Sequence, residues 1–390
     1  MSQSTQIEMR KKKRHTRKNV MLAAVILALI ISTSCTLYMN IDNPLLHNVF
    51  SGFGLDMATG NEVIDFEKTE KYAFSEFDGN AIVARSNEVL CVDDDMNTLW
   101  TVSKNTPFPV VKTNSEYALC YSFDSENVTL IKNGKATEFV TGNPVIGGNV
   151  NKNGYSAIIT REKGYKAQVM VLSDEGELLY RWHSADNHII DAVISPDNRT
   201  LAVATVDFST DTASGGLTFF NFSQDKPYAG QILENNVIMQ LVFTDKNSLL
   251  AVGDTSAAVF DVLGKKEHEY TYGGKKLTNF DVGTDGSLVL ALSESDSVMT
   301  DTDIKILSRS LKEKGTYTAG GVVSCIDSVE GKTLLVSDRT LSVISARGNE
   351  LKKLDVNKDI KKAVLFGNGE DVLIAAGSAA EIVSLNKQIR

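Results

Sequence analysis

A short pattern of turn residues followed by two apolar runs recurs eight times along the chain. Each copy begins with a turn rich in Asp, Asn and Gly, enters an apolar run, and after a polar break enters a second one. The turns lie at Asp78–Gly79, Thr113–Asn114, Asn153–Gly154, Pro196–Asn198, Lys246–Asn247, Asp285–Gly286, Glu330–Gly331 and Asn368–Gly369. From Gly79 to Gly369 the chain covers 290 residues in seven steps. The step of about 41 residues is the length of a four-stranded propeller blade.

The polarity of the individual runs supports this prediction. Leu201–Val206 is apolar at every position except Thr205, and a strand that is apolar on both faces must be covered on both faces. A propeller provides this cover because each blade packs between two others. The runs that follow charged hairpins, such as Leu178–Trp182 and Leu351–Leu354, are more polar. They are predicted to be outer strands that meet water, where charged side chains oppose edge-to-edge pairing.

The two ends of the repeat region predict how the ring closes. The last repeat stops at Asn386–Arg390 without an outer strand, whereas an unpaired strand, Glu62–Phe66, precedes the first repeat. We expect this strand to complete the final blade and to hide the sheet edges. The prediction is an all-β propeller of eight blades. Seven blades is the alternative, because the sixth repeat is irregular between Ser293 and Asp303.

The first 40 residues differ from the repeats. Seven basic residues stand near the N-terminus against one acid, Glu8: Arg10, Lys11, Lys12, Lys13, Arg14, Arg17 and Lys18. They precede Val20–Met39, which has no charged residue and would span about 30 Å as a helix, the thickness of a bilayer core. Positive charge before such a segment retains that end in the cytoplasm. A cleaved signal peptide and a lipid anchor at Cys35 are the alternatives.

These features predict four parts. They are a basic cytoplasmic tip (1–19), a single transmembrane signal anchor (20–39), a juxtamembrane linker (40–60) and an extracytoplasmic propeller (61–390). The whole chain has a net charge of −9. Since the first 35 residues carry +6, the remainder carries −15. An acidic propeller disfavours nucleic acid as a partner and is repelled by anionic lipid.

The four cysteines match no zinc motif. Cys91 and Cys120 fall on predicted strands of adjacent blades, where they are either bonded to each other or buried as small hydrophobic residues.

Parts of the repeats resemble known propeller families. Ser195–Val203 is similar to the turn-and-strand signature of WD-type propellers, although the Trp-Asp dipeptide is absent. Leu99–Trp100 and Leu179–Trp182 resemble the outer-strand pattern of quinoprotein-like repeats. The order of parts resembles an uncharacterised bacterial family of single-span, membrane-anchored propellers. That resemblance implies the architecture and no activity.

The aromatic, acidic and histidine residues are the candidates for chemistry. A quinone-dependent dehydrogenase stacks its cofactor on aromatic residues, but Trp100 and Trp182 occupy equivalent outer-strand positions and are expected to pack between blades.

Asp93–Asp95 is expected to form a hairpin turn and not a metal site, because Ca²⁺ requires oxygen ligands at defined loop positions. Asp296, Asp301 and Asp303 receive the same interpretation. His183 and His188 are expected in a loop, without the Glu between them that a zincin helix requires. No catalytic residue, metal or cofactor is predicted.

One insertion is a candidate contact site. Asp207–Gly216 is a long polar stretch between two central strands of the fourth repeat, and long loops often carry function. Asp207, Phe208, Asp211 and Gly215 are its candidate partner contacts. The predicted function is a non-enzymatic, membrane-anchored scaffold that binds a protein, peptide or glycan. A sensor or carrier that holds a small ligand in the central channel is the first alternative, and a quinoprotein-like redox enzyme is the second.

Overall fold

Eight four-stranded antiparallel sheets follow one another around a ring in the computed structural model. The structure describes residues 63–209, 213–224, 226–294 and 301–386. The predicted all-β propeller of eight blades is confirmed, and the alternative of seven is wrong. The sixth repeat is irregular in sequence but forms a complete blade. The strand that ends at Ser293 pairs both with the strand before it and with the strand that begins at Thr302.

Four strand positions recur in each blade. The first, innermost strands are β2 (Ala73–Phe77), β6 (Pro109–Thr113), β10 (Val145–Val150), β14 (His188–Ile194), β18 (Ile238–Phe243), β22 (Lys276–Val282), β26 (Val323–Val329) and β30 (Ile360–Leu365). The second strands are β3 (Asn80–Ala84), β7 (Tyr117–Ser122), β11 (Ser156–Thr160), β15 (Thr200–Asp207), β19 (Ser248–Gly253), β23 (Leu288–Ser293), β27 (Lys332–Ser337) and β31 (Asp371–Ala376).

The other two positions complete each sheet. The third strands are β4 (Glu88–Val92), β8 (Asn127–Lys132), β12 (Ala167–Leu172), β16 (Ser214–Asn221), β20 (Ser256–Asp261), β24 (Thr302–Leu307), β28 (Thr340–Ser345) and β32 (Ala379–Ser384). The outer strands are β5 (Thr98–Ser103), β9 (Lys135–Val140), β13 (Leu178–Ser184), β17 (Ala229–Leu233), β21 (Lys266–Thr271), β25 (Glu313–Ala319), β29 (Glu350–Asp355) and, in the eighth blade, β1 (Val63–Asp65).

The hydrophobic core lies between the blades. The predicted apolar runs are the second strands, and in blades two to four they are buried at nearly every position. Each hydrophobic cluster joins facing sheets; one joins Val203 and Phe220 of the fourth blade to Val169 and Tyr180 of the third. Burial of such side chains, about 1.5–3 kcal/mol each, is what holds successive blades together.

The N-terminal strand closes the ring as predicted. β1 pairs antiparallel with β32, and Val63 faces Glu381 in the register. The N–H of Phe66 then donates to the carbonyl oxygen of Ser378 at 2.7 Å. The eighth blade, which forms the seam of the ring, is therefore a sheet made from both ends of the described chain.

Candidate interaction surface

The order of strands gives the ring two different faces. Because neighbouring strands are antiparallel, the connections between blades and those between second and third strands emerge on the same side. We call this side the loop face. The tight hairpins between first and second strands, and between third and outer strands, emerge on the opposite side, which we call the turn face.

Four exposed aromatic residues lie on the loop face of three consecutive blades. They are Phe108 and Phe123 of the second blade, Tyr165 of the third and Phe208 of the fourth, with exposed fractions of 46% to 65%. We call these four residues the aromatic face. The other exposed aromatic side chain of the described residues, Tyr228, lies toward the turn face, where its hydroxyl donates to a backbone carbonyl of the fifth blade at 2.8 Å. Exposed aromatic side chains on adjacent loops are typical of binding surfaces.

Direct contacts join the second-blade part of the aromatic face to the third blade. The N–H of Phe123 donates to the carbonyl oxygen of Phe108 at 2.9 Å. The next residue, Asp124, donates its N–H to Val145 of the third blade at 2.8 Å. Its carboxylate also pairs with Arg161 at 3.0 Å. The loops that carry the second-blade and third-blade aromatic residues are thus adjacent and tied together.

Histidine side chains extend the aromatic face toward the fourth blade. The ring of Tyr165 lies 4.6 Å from that of His183, and Phe208 meets the edge of His188 at 6.0 Å. The expectation that both histidines lie in a loop is wrong. β13 continues as far as Ser184 and β14 begins at His188, so the two strands hold both imidazoles at the loop face.

The predicted insertion in the fourth blade is shorter than its composition indicated. Asp207 is the last residue of β15 and Gly215 lies inside β16, opposite Val206. Only residues 208–213 connect the two strands, and Asp211 lies outside the described residues. The Asp207 carboxylate accepts the N–H of Ser209 at 2.8 Å, which lowers the pKa of Asp207. Of the candidate contacts that the structure describes, Phe208 is the most exposed, at 65%.

The N-terminal predictions fall on residues that the structure does not describe. Lys11, Lys12, Lys13, Arg14, Arg17, Lys18 and the proposed anchor at 20–39 all lie outside the described residues. Within the described part of the chain, no helix has the length and apolar character needed to cross a membrane.

Three carboxylates on the innermost strands, one buried and two half-buried, were not predicted from the sequence. Asp191, Asp281 and Asp327 stand on β14, β22 and β26. Burial raises the pKa of all three carboxyl groups, that of Asp281 to about 6. Each accepts hydrogen bonds from the innermost strand of the following blade. These contacts join blades around the ring.

The remaining candidates have structural contacts. Asp93 accepts the N–H groups of Asp95 and Asn97 in the predicted hairpin turn. The expectation of a turn is wrong for Asp303, which lies on β24 opposite Leu292 and pairs with Lys275 at 2.6 Å. Asp296 lies outside the described residues. Over residues 63–209, 213–224, 226–294 and 301–386, no cluster of three or more His, Cys, Asp or Glu side chains is arranged to hold a metal ion.

The tryptophans and strand cysteines pack between blades. Trp182 lies 4.9 Å from Phe220 of the next blade, and Trp100 packs beside Gly134 of the second blade. This is the predicted packing. Cys91 and Cys120 are free thiols in the core between the first and second blades, where burial raises the pKa of each to about 12.

A small cleft opens between the sixth and seventh blades near the turn face. It is lined by Asp285, Ser287, Ser328 and Lys332 among others, and its volume is about 10 Å³. That volume holds roughly one water molecule. The cleft is therefore too small for an organic ligand.

These observations define the protein as an eight-bladed β-propeller with exposed aromatic residues on one face. It belongs to the family of unknown function DUF5711, whose model matches residues 56–385. No curated protein matches the chain.

Solved structures that resemble the chain share its fold at low sequence identity. BamB from Moraxella catarrhalis is 11% identical, with a TM-score of 0.51 over 84% of this chain and 99% of that one. The C-terminal WD40 domain of Sif2 is 11% identical, with a TM-score of 0.56 over 85% of this chain and all of that one. The dihydro-heme d1 dehydrogenase NirN is 13% identical, with a TM-score of 0.55 over 85% of this chain and 75% of that one. The likeness establishes the fold alone.

Proposed function

We propose that this protein is a non-enzymatic scaffold that binds a protein partner through its aromatic face. We further propose that the N-terminal segment anchors it in the cell membrane with the propeller outside the cytoplasm. The observation that carries the binding proposal is the position of Phe108, Phe123, Tyr165 and Phe208 on adjacent loops of one face. The anchor proposal rests on the basic residues before the uncharged segment at 20–39.

The energetics of the aromatic face favour a role in binding over a role in folding. An exposed aromatic ring contributes little to the stability of a free protein, whereas a buried aromatic ring at an interface is often a hot spot worth about 2 kcal/mol or more. Phe108, Phe123 and Tyr165 also stand on loops fixed by backbone hydrogen bonds, which reduces the entropy lost on binding. A rigid ring with such a surface suits a scaffold.

Crosslinking in the native membrane tests the binding proposal. The four aromatic residues are replaced together by Ser, and the proteins crosslinked to this variant are compared with those crosslinked to the unaltered chain. The matched control replaces Leu99, Leu178, Leu179 and Leu351 by Ser, because these are exposed apolar residues of the outer strands. We expect specific crosslinks to survive in the control and to disappear in the aromatic variant. Identical crosslinks in both would contradict the proposal.

Protease accessibility tests the anchor proposal separately. A tag placed after Arg390 should be cleaved by protease added to intact cells. A tag that is cleaved only after the cells are lysed would place the propeller on the cytoplasmic side.

A further inference from the structure

The third-blade loop of the aromatic face carries unusual charge for this acidic chain. The loop, Arg161–Lys166, has three basic residues and one acid, whereas the whole chain has a net charge of −9. Lys163 and Lys166 are exposed on either side of Tyr165. Within the part of the chain that the structure describes, neither lysine forms an ion pair with another side chain. A tyrosine ring therefore stands between two unpaired positive charges.

The one acidic residue of this loop, Glu162, already accepts hydrogen bonds from within the protein. The Glu162 carboxylate accepts the side-chain amide of Asn143 at 2.6 Å and that of Gln168 at 2.8 Å. Gln168 is 1% exposed, so the carboxylate is fixed from the protein side. Arg161 is engaged as well, because it pairs with Asp124 of the preceding blade. The two lysines are the charges that remain for a partner.

Backbone contacts hold the loop in one shape. The N–H of Arg161 donates to Pro144 at 2.9 Å, and the N–H of Lys166 donates to Ser184 at 2.8 Å. Between these anchors the chain turns at Gly164, where φ is +89°. The loop is therefore preorganised, and a ligand that binds it would not have to order it.

Neighbouring side chains of the third blade hold the ring of Tyr165 in place. Its ring lies 4.6 Å from the His183 ring, and the Nε2 atom of His183 lies 3.0 Å from the side-chain nitrogen of Gln168. The aromatic ring, its histidine support and the Glu162 contacts form one connected unit. Tyr165 is 47% exposed, and the exposed side of its ring is the part left for contact.

We infer that Arg161–Lys166 binds an acidic peptide segment of a partner protein, with carboxylates at Lys163 and Lys166 and an apolar side chain against Tyr165. This inference rests on the proposed function and adds the chemistry of the partner. The neighbouring Phe123, whose loop is tied to this one through Asp124 and Arg161, supplies a second apolar contact. A carboxylate near each ammonium and an apolar group between them match the order of charge and ring along the loop.

Other polyanions fit the surface less well. A nucleic acid or an anionic bilayer presents charge over a wide area, and a chain of net charge −9 repels such a surface. A short acidic segment needs attraction only within the screening distance, about 8 Å at physiological salt. The two lysines supply it locally, and the tyrosine adds an apolar contact that a phosphate backbone does not use.

Selection from a random dodecapeptide display library on the purified full-length chain tests the inference. Selected peptides should be enriched in Asp and Glu together with aromatic or branched aliphatic residues. Binding of the best peptide, measured by fluorescence anisotropy, should weaken about tenfold in the double variant Lys163→Glu, Lys166→Glu, and more steeply at low salt. The matched control is Lys352→Glu, Lys353→Glu on the outer strand β29, which should bind normally.

Several outcomes would overturn the inference. They are the absence of acidic enrichment, equal binding by the charge-reversed variant, and comparable binding of a single-stranded oligonucleotide or of phosphatidylglycerol vesicles. The membrane crosslinks separate this failure from that of the proposed function. If crosslinks are lost in the aromatic variant but persist in the charge-reversed one, the scaffold function stands and the acidic partner does not. If both variants keep them, both proposals fail.

Discussion

The carboxylate of Asp191 accepts the backbone N–H of Leu241 at 2.7 Å and joins the innermost strands of the fourth and fifth blades. The other oxygen of Asp191 accepts the side-chain amide of Asn149, from the third blade, at 2.6 Å. One buried side chain therefore links three consecutive blades. Asp327 repeats the contact between the seventh and eighth blades, where it accepts the N–H of Leu365 at 2.6 Å.

Replacement of Asp191 by Ala should destabilise the ring. The substitution leaves the N–H of Leu241 without its acceptor and removes one of the two acceptors of the Asn149 amide. A buried unsatisfied donor costs about 1–3 kcal/mol. We expect the free energy of unfolding to fall by roughly 3 kcal/mol, measured by urea denaturation. Asp186→Ala, at an exposed position of the preceding connection, is the control and should change it by less than about 0.5 kcal/mol. An equal effect of the two substitutions would show that the inter-blade contact is unimportant.

The half-buried carboxylates of Asp281 and Asp327 also predict how stability depends on pH. Burial raises the pKa of Asp281 to about 6, against hydrogen bonds from Ser328 that lower it. Burial, with the nearby charge of Asp281, raises the pKa of Asp327 well above its ordinary value. The folded state therefore binds these protons more tightly than the unfolded state. Stability should fall as the pH rises from about 4 through 6.

Asp281→Asn tests this dependence, because it keeps the shape of the side chain and removes its titration. Between pH 4.5 and 7 the unaltered protein should lose about 2 kcal/mol of unfolding free energy through this group. The variant should show a shallower decline in urea denaturation carried out across the same range. A variant with the same pH profile as the parent would mean that Asp281 does not titrate there.

Glu70 acts in the opposite direction at lower pH. Desolvation raises the pKa of Glu70. This effect is outweighed by hydrogen bonds from Ser86 and Glu67 and by the contact with Arg85, which together lower that pKa to about 2. Its stabilising contribution is present above about pH 4.5 and is lost as the pH falls toward 2. Glu70→Gln should therefore destabilise the protein at pH 6 and have a smaller effect near pH 2.5. Thermal unfolding at the two pH values gives the comparison, and an effect independent of pH would contradict the prediction.

The fold was predictable from the sequence because each blade repeats its own local signals. The Asp and Gly turns, the apolar second strands and the unpaired strand at Val63–Asp65 are all visible in the order of residues. Except at the seam, the contacts that build the propeller follow from these local signals. At the seam, the last repeat lacks an outer strand of its own, and this absence indicated that Val63–Asp65 pairs with it.

The candidate site was much harder to predict. Phe108, Phe123 and Tyr165 are single aromatic residues in three connections, and no spacing pattern links them along the chain. They lie on one face because every second connection along a series of antiparallel strands emerges on the same side of the ring. The buried Asp191 was missed for a related reason, since its burial is imposed by the adjacent blades rather than by its own strand. Only Phe208 was singled out in advance, through the length of its insertion.

The seam of the ring predicts a residue on which closure depends. Phe66 is 6% exposed, stacks on Tyr72 at 4.3 Å between ring centres and lies beneath Arg85. Phe66→Ala should lower the free energy of unfolding by about 3–5 kcal/mol, the usual effect of removing a buried phenylalanine ring. Amide hydrogen exchange of β32 should rise, because β1 pairs with that strand. Phe208→Ala, which removes an exposed ring, is the control, and an equal loss of stability there would contradict this account.

Two glycines offer a matched test of the third-blade loop. Gly134 and Gly164 both have positive φ, +72° and +89°, so alanine at either position is strained by about 1–2 kcal/mol. At Gly134 a new Cβ atom would also lie 2.8 Å from the Cβ atom of Trp100, whereas at Gly164 nothing lies within 4 Å. Gly134→Ala should therefore lower the thermal stability more than Gly164→Ala does. Because Gly164 shapes the loop that carries Tyr165, Gly164→Ala should weaken binding of the selected acidic peptide, and Gly134→Ala should leave it unchanged at temperatures where that variant is folded. The reverse order of binding effects would mean that the shape of the loop does not contribute to recognition.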